Sequence, residues 1–234
     1  MSIFFANFEH QIYDMNDRTF FARGILAGIC ISLGGCIYLK IGGVAGAILF
    51  AFGLIAVVSM KLNLFTGKAQ FVWGRNENGP FREGGYIWLF SILALNIIGC
   101  IAMGALLPTF VLREAAQAII ETRLESSIFR NGLLAVGCGF IMTLAVQNAV
   151  NGRWLPLLFG IPAFILCGLP HCVADAFYIA SLPAEYFEEE MGSLLLFYIA
   201  IVAGNFIGCN AYRLLAPKPA KAIKTKPEDK IIET

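Results

Sequence analysis

Ten residues set the terms for this chain. Met60-Lys61-Leu62-Asn63-Leu64-Phe65-Thr66-Gly67-Lys68-Ala69 interrupts an apolar run that starts at Val44 and resumes from Ala69 to Trp73. The run is long enough for a bilayer crossing, so lysine, asparagine, threonine and glycine fall at membrane depth. Irregular backbone survives there only when it is buried in protein or lines a water-filled cavity. The segment is therefore the first candidate for a permeation site.

Composition supports the membrane reading. The 234 residues are 58% hydrophobic and 14% charged, with a mean hydropathy of +0.73, values typical of an integral membrane protein. The net charge of +1 gives no electrostatic case for nucleic-acid binding. All seven cysteines lie in apolar runs without paired C-x-x-C spacing, and there are two histidines. Neither a metal site nor a disulfide framework is expected, and no cofactor is implied. The N-terminus lacks the basic, apolar and small-residue pattern of a signal peptide.

The hydropathy pattern predicts six crossings. Residues 1–17 form an amphipathic surface segment, and the first span runs from Thr19 to Tyr38, rich in glycines suited to close helix contact. The interrupted second span (Val44–Gly74) leads to a polar loop, Arg75 to Glu83. The third span (Tyr86–Leu107) is followed by a connector from Pro108 to Ser127, in which Ala115, Ala116, Ile119 and Ile120 are available for burial. The fourth span is Ile128–Val150. The fifth is broken at Gly168-Leu169-Pro170-His171-Cys172-Val173-Ala174-Asp175 and continues to Leu182. An acidic loop carrying Glu185, Glu188, Glu189 and Glu190 precedes the sixth span, Ser193–Leu215, and a Lys/Pro-rich tail (214–234) is expected to be disordered. Lysines and arginines concentrate on the side that holds both termini, which makes that side cytoplasmic.

An internal repeat is legible. Asn96-Ile97-Ile98-Gly99-Cys100-Ile101-Ala102 and Asn205-Phe206-Ile207-Gly208-Cys209-Asn210-Ala211 share N-x-I-G-C-x-A, and each follows a broken span by a similar stretch of chain. The expected fold is an all-α integral membrane protein of six transmembrane helices, arranged as two inverted three-helix repeats with helices 2 and 5 broken. Each break starts a half-helix whose N-terminal amides favour anions. Thr66 and His171 are donors without permanent charge, and neutral donors suit conduction because binding must stay weak enough for release. His171 could also share a proton with a weak acid. Against these stand plainer readings: interhelical hydrogen bonding by His171, back-bonding by Thr66 and snorkelling by Lys61.

At these residues the sequence resembles the formate/nitrite transporter family, whose members carry L-F-T-[GS] in the second span and G-x-x-H-x-x-A-N in the fifth. Here these stand as Leu64-Phe65-Thr66-Gly67 and Gly168 to Asp175. The resemblance runs through residues 18–213, the expected channel domain. It implies a pentamer of six-helix protomers, each with an aquaporin-like pore for small monovalent anions such as formate, nitrite or hydrosulfide, and leaves the co-passage of protons open. By it, Thr66 and His171 match the pore threonine and histidine, Leu64 and Phe65 sit near the hydrophobic constriction, and Arg123 aligns with a vestibule lysine, its plainer reading being a solvated charge.

The sequence departs from the family pattern at four positions. Asn63 replaces the glutamate before L-F-T, Asp175 the asparagine after the histidine, Pro170 the glutamate before it and Gly139 the fourth-span asparagine that faces it. The first two suggest that Asn63 and Asp175 approach each other around the breaks, with Lys61 recruited as partner to Asp175. The resulting expectation is a channel for small weak-acid anions in a cell membrane, and no enzyme chemistry. The rivals are a neutral-solute channel and a membrane-embedded enzyme using His171 and Cys172.

Overall fold

The computed structural model describes residues 18–72, 85–107 and 109–215. Among the described residues there are helices and no strands. They are α1 (Arg18–Ile41), α2 (Gly43–Ser59), α3 (Phe65–Ala69), α4 (Gly85–Leu106), α5 (Phe110–Leu124), α6 (Ile128–Val150), α7 (Leu155–Leu166), α8 (Cys172–Ala180) and α9 (Ala184–Leu215). The amphipathic segment 1–17, the polar loop Arg75 to Glu83 and the tail beyond Leu215 lie outside the described residues.

Length separates these helices into two kinds. α1, α4, α6 and the Ala184–Tyr212 part of α9 are long and apolar enough to cross a membrane. α2 has 17 residues and α7 has 12. At 1.5 Å per residue they reach only about 26 and 18 Å, short of a hydrocarbon core of about 30 Å. Each stops at a break, and the chain then restarts as a short helix, α3 or α8.

The two breaks are built alike. Leu62 N–H donates to Val57 O and Lys61 N–H to Val58 O; Leu169 N–H donates to Phe164 O and Gly168 N–H to Ile165 O. Both pairs make the Schellman ending, which needs a left-handed residue just past the helix. Gly168 fills that place with φ 66°, and Lys61 fills it with φ 54°. Three residues on, Leu64 and His171 are the extended caps of α3 and α8. This register pairs Leu64 with His171, so Thr66 corresponds to Val173 rather than to the histidine.

Packing repeats the same correspondence. α1 lies against α2 and α4, as α6 lies against α7 and α9. A Cβ on Gly28 would run into the Asn96 carbonyl oxygen, and one on Gly139 into that of Asn205. These glycines let the long helices touch backbone to backbone. Gly139, which the resemblance above set against an asparagine, therefore holds a close helix contact. α5 buries Leu112, Ala116 and Ile120, a stripe at four-residue spacing, with Ala115 and Ile119 packed beside it.

One boundary differs from expectation. The acidic segment is no loop: α9 begins at Ala184, directly after Pro183, and Glu185 lies in its first turn. Proline ahead of the helix and acid in its first turn both favour a start there.

Candidate functional site

Asn96 and Asn205 fasten the two breaks. The Asn96 Oδ1 accepts from Phe65 N–H at 2.9 Å, while its Nδ2 donates to Gly24 O and to Asn63 O, each at 2.8 Å. Asn205 does the same on the other side, accepting from Cys172 N–H at 2.8 Å and donating to Ala135 O at 2.8 Å and Pro170 O at 3.0 Å. The groups freed by each interruption are thus returned to protein partners, as burial requires. Cysteines then cross between them. Cys100 Sγ donates to Val173 O at 3.3 Å and Cys209 Sγ to Thr66 O at 3.2 Å.

The breaks meet at Thr66 and His171. Thr66 Oγ1 and His171 Nε2 are 2.9 Å apart, with both residues buried. Ala174 N–H donates to His171 Nδ1 at 3.2 Å. A backbone amide can only donate, so Nδ1 is the bare nitrogen and neutral His171 carries its hydrogen on Nε2. Nε2–H then donates to Thr66, whose own hydrogen remains available for another acceptor. Phe164 stacks on the imidazole, with ring centroids 5.8 Å apart and planes at 25°. Leu64 and Phe65, at 1% and 0% exposure, close around the first break.

The charged candidates are arranged differently from expectation. Asp175 does not pair with Lys61. Its Oδ1 lies 3.0 Å from Arg123 Nε, with the carboxylate fully buried and the arginine side chain 13% exposed. By strict geometry neither carboxylate oxygen has a hydrogen-bond donor among the described residues, so the contact is an ion pair by proximity. Arg123 Nη1 also donates to Gly168 O at 3.1 Å. Lys61 is exposed, because the left-handed turn after α2 carries its side chain away from the core. Asn63 contributes backbone, its N–H to Arg23 O at 3.2 Å and its carbonyl to Asn96. Lys68, buried, stands in α3 where Asp175 stands in α8.

Sequence reasoning saw Asn96 and Asn205 as a repeat without assigning them to the breaks, and it missed Phe164 and Tyr178. An apolar ring inside an apolar helix leaves no signal. It also missed Gln147, whose Nε2 donates to Gln70 Oε1, while Gln70 Nε2 donates to Gly67 O at 3.0 Å. A cavity of about 350 Å³ opens on one side of His171, lined by Arg123, Asp175, Gly168, Tyr38 and Tyr178 among others.

Comparison with known proteins decides the family. The sequence profile described as Formate/nitrite transporter matches residues 5–215. The chain belongs to the formate/nitrite transporter family. Among curated relatives, the uncharacterized transporter YrhG of Bacillus subtilis (strain 168) is 28% identical over 215 residues, covering 79% of this chain and 78% of that protein. The formate channel BtFdhC of Bacillus thuringiensis is 26% identical over 216 residues, covering 79% and 80%. Among solved structures, a pentameric formate channel with formate bound superposes with a TM-score of 0.68 at 18% identity, covering 83% of this chain and 93% of that one. An ion channel of the same family gives 0.64 at 17% identity, covering 83% and 87%. With its apolar helices, this member of the family is a membrane protein.

Proposed function

We propose that this protein is a channel for small monovalent weak-acid anions, formate or nitrite foremost and hydrosulfide next. Residues 18–213 form the channel domain, six spans in two inverted repeats, with both termini cytoplasmic and five copies assembled in a cell membrane. Family membership and the relatives described as formate channels support this reading. The observation that carries it is the hydrogen bond of 2.9 Å between Thr66 and His171, two neutral polar groups held among apolar walls where the breaks meet.

The chemistry follows from that pair. Leu64, Phe65 and Phe164 exclude water and wide solutes, and the Thr66 hydroxyl, already accepting from His171, is oriented to donate to a permeant oxygen or sulfur. Such a donor replaces part of the hydration an anion sheds without trapping it, as conduction requires. His171, in contact with that hydroxyl, is the group through which a proton would be shared.

Stopped-flow flux into proteoliposomes with formate, nitrite, hydrosulfide and acetate tests the proposal. Saturable formate or nitrite entry that falls at least tenfold in Thr66→Val is expected. Swelling in glycerol without anion flux would favour the neutral-solute channel. Flux that persists in Cys172→Ser is expected of a pore, whereas turnover lost with that sulfur would indicate the embedded enzyme.

A further inference from the structure

The cavity beside His171 holds two full charges among its described lining residues, and they are of opposite sign: Arg123 and Asp175. His171, Tyr38 and Tyr178 are its other ionisable groups. Arg123 comes from the last turn of α5, its backbone carbonyl fixed by Asn131 Nδ2 at 2.7 Å. Its guanidinium reaches Gly168 O at 3.1 Å and Asp175 at 3.0 Å. Asp175, fully buried, has that guanidinium as its compensation, since a buried carboxylate without a countercharge is costly.

A lone cation at the mouth of a low-dielectric cavity raises the local concentration of anions by an order of magnitude or more. A carboxylate set against it cancels most of that field beyond a few ångströms. We propose that Asp175 is a specificity-determining residue: by compensating Arg123 it keeps this mouth near neutral, so that small weak-acid anions bind it weakly and leave it quickly. The inference rests on the channel reading above. An asparagine of the same shape would preserve the packing and uncover the arginine, turning the mouth into an anion trap.

The test uses the full-length protein in proteoliposomes with a reporter, Ala118→Cys, at an exposed lining position. Exposed Cys167 is replaced by serine. The ratio of modification rates by anionic sulfonatoethyl and cationic trimethylammonioethyl methanethiosulfonate reads the local potential. That ratio should rise about tenfold with Asp175→Asn and return when Arg123→Gln is added, whereas Arg123→Gln alone should move it little at neutral pH, because a buried carboxylate stripped of its countercharge takes up a proton. In flux, Asp175→Asn should lower the half-saturating formate concentration and the maximal rate together, about fivefold each, with glycerol entry unchanged. A potential unmoved by Asp175→Asn overturns the proposal, as does a lower maximal rate with the half-saturating concentration unchanged, the mark of a purely structural role. Potentials that shift as stated in vesicles impermeable to formate and nitrite would uphold the compensated mouth and sink the channel reading.

Discussion

Thr66 Oγ1 and His171 Nε2 lie 2.9 Å apart although 105 positions separate them in the chain. The contact has a fixed direction, because Ala174 N–H occupies His171 Nδ1 at 3.2 Å. In nitrogen-15 spectra at neutral pH, with His10 replaced by glutamine to leave one histidine, His171 should show a protonated Nε2 and a bare Nδ1. The opposite tautomer would mean that Thr66 donates instead. Thr66→Val strands a buried N–H and should cost about 1–3 kcal/mol, whereas Thr66→Ser keeps the acceptor and should cost less than half as much, measured by thermal unfolding in detergent.

Asn96 and Asn205 each close three hydrogen bonds to buried backbone. Replacing either by alanine should cost roughly 2–4 kcal/mol, and the two losses should agree within about 1 kcal/mol. Aspartate can accept like asparagine but cannot donate to the two carbonyls, so Asn96→Asp and Asn205→Asp should be no milder. A mild Asn96→Ala beside a severe Asn205→Ala, in the same unfolding assay, would show that one break holds without its asparagine.

The close helix contacts give a paired steric prediction. Gly28→Ala and Gly139→Ala each drive a methyl group into a backbone carbonyl, and neither backbone can yield without moving a whole helix. Both should lose roughly 3 kcal/mol or more, seen as low recovery of folded protein by size exclusion. Gly192→Ala, in α9 with open space around it, should instead gain about 0.5–1 kcal/mol from helix propensity.

Lys61 should be replaceable. Its side chain is exposed and its backbone, at φ 54°, is in the left-handed region, which asparagine tolerates better than lysine. Lys61→Asn should raise stability by a few tenths of a kcal/mol up to about 1 kcal/mol and leave formate flux within twofold. A tenfold fall in flux would return Lys61 to the pore.

Phe164 stacks on His171 and is 3% exposed. Truncation to alanine should cost about 3–5 kcal/mol by opening a cavity. If the ring is part of the wall, propionate entry relative to formate should rise at least fivefold. An unchanged ratio would place the narrowest point elsewhere, around Leu64 and Phe65.

The breaks were readable because a lysine, an asparagine or a histidine inside a span violates hydropathy, and Thr66 and His171 were found that way. That they belong to one site was legible, but their direct contact was not: His171 corresponds to Leu64, and Thr66 reaches it from one turn further along the other break. The partner of Asp175 was misread because charges were weighed within the spans alone. Arg123 comes from a connector whose path back over the second break is set by the burial of Leu112, Ala116 and Ile120, and hydropathy says nothing of where an amphipathic helix will lie. Lys61 was misread as the partner of Asp175 because hydropathy does not show that it ends a helix in a left-handed turn; the hydrogen bonds of Leu62 and Lys61 to Val57 and Val58 reveal that turn.

The crossed thiol bonds bear on how the protein is made. Cys100 reaches the carbonyl of Val173, and Cys209 that of Thr66, so each interruption is completed by a group on the far part of the chain. A nascent chain that has delivered only α1 to α4 to the bilayer holds an unfinished break, with Thr66 facing neither His171 nor Cys209. Insertion of these helices can proceed in order from the ribosome, but closure of the site where the breaks meet has to wait for α9. Stalled or truncated products would leave the Thr66 hydroxyl and carbonyl without the His171 and Cys209 partners they meet in the finished fold.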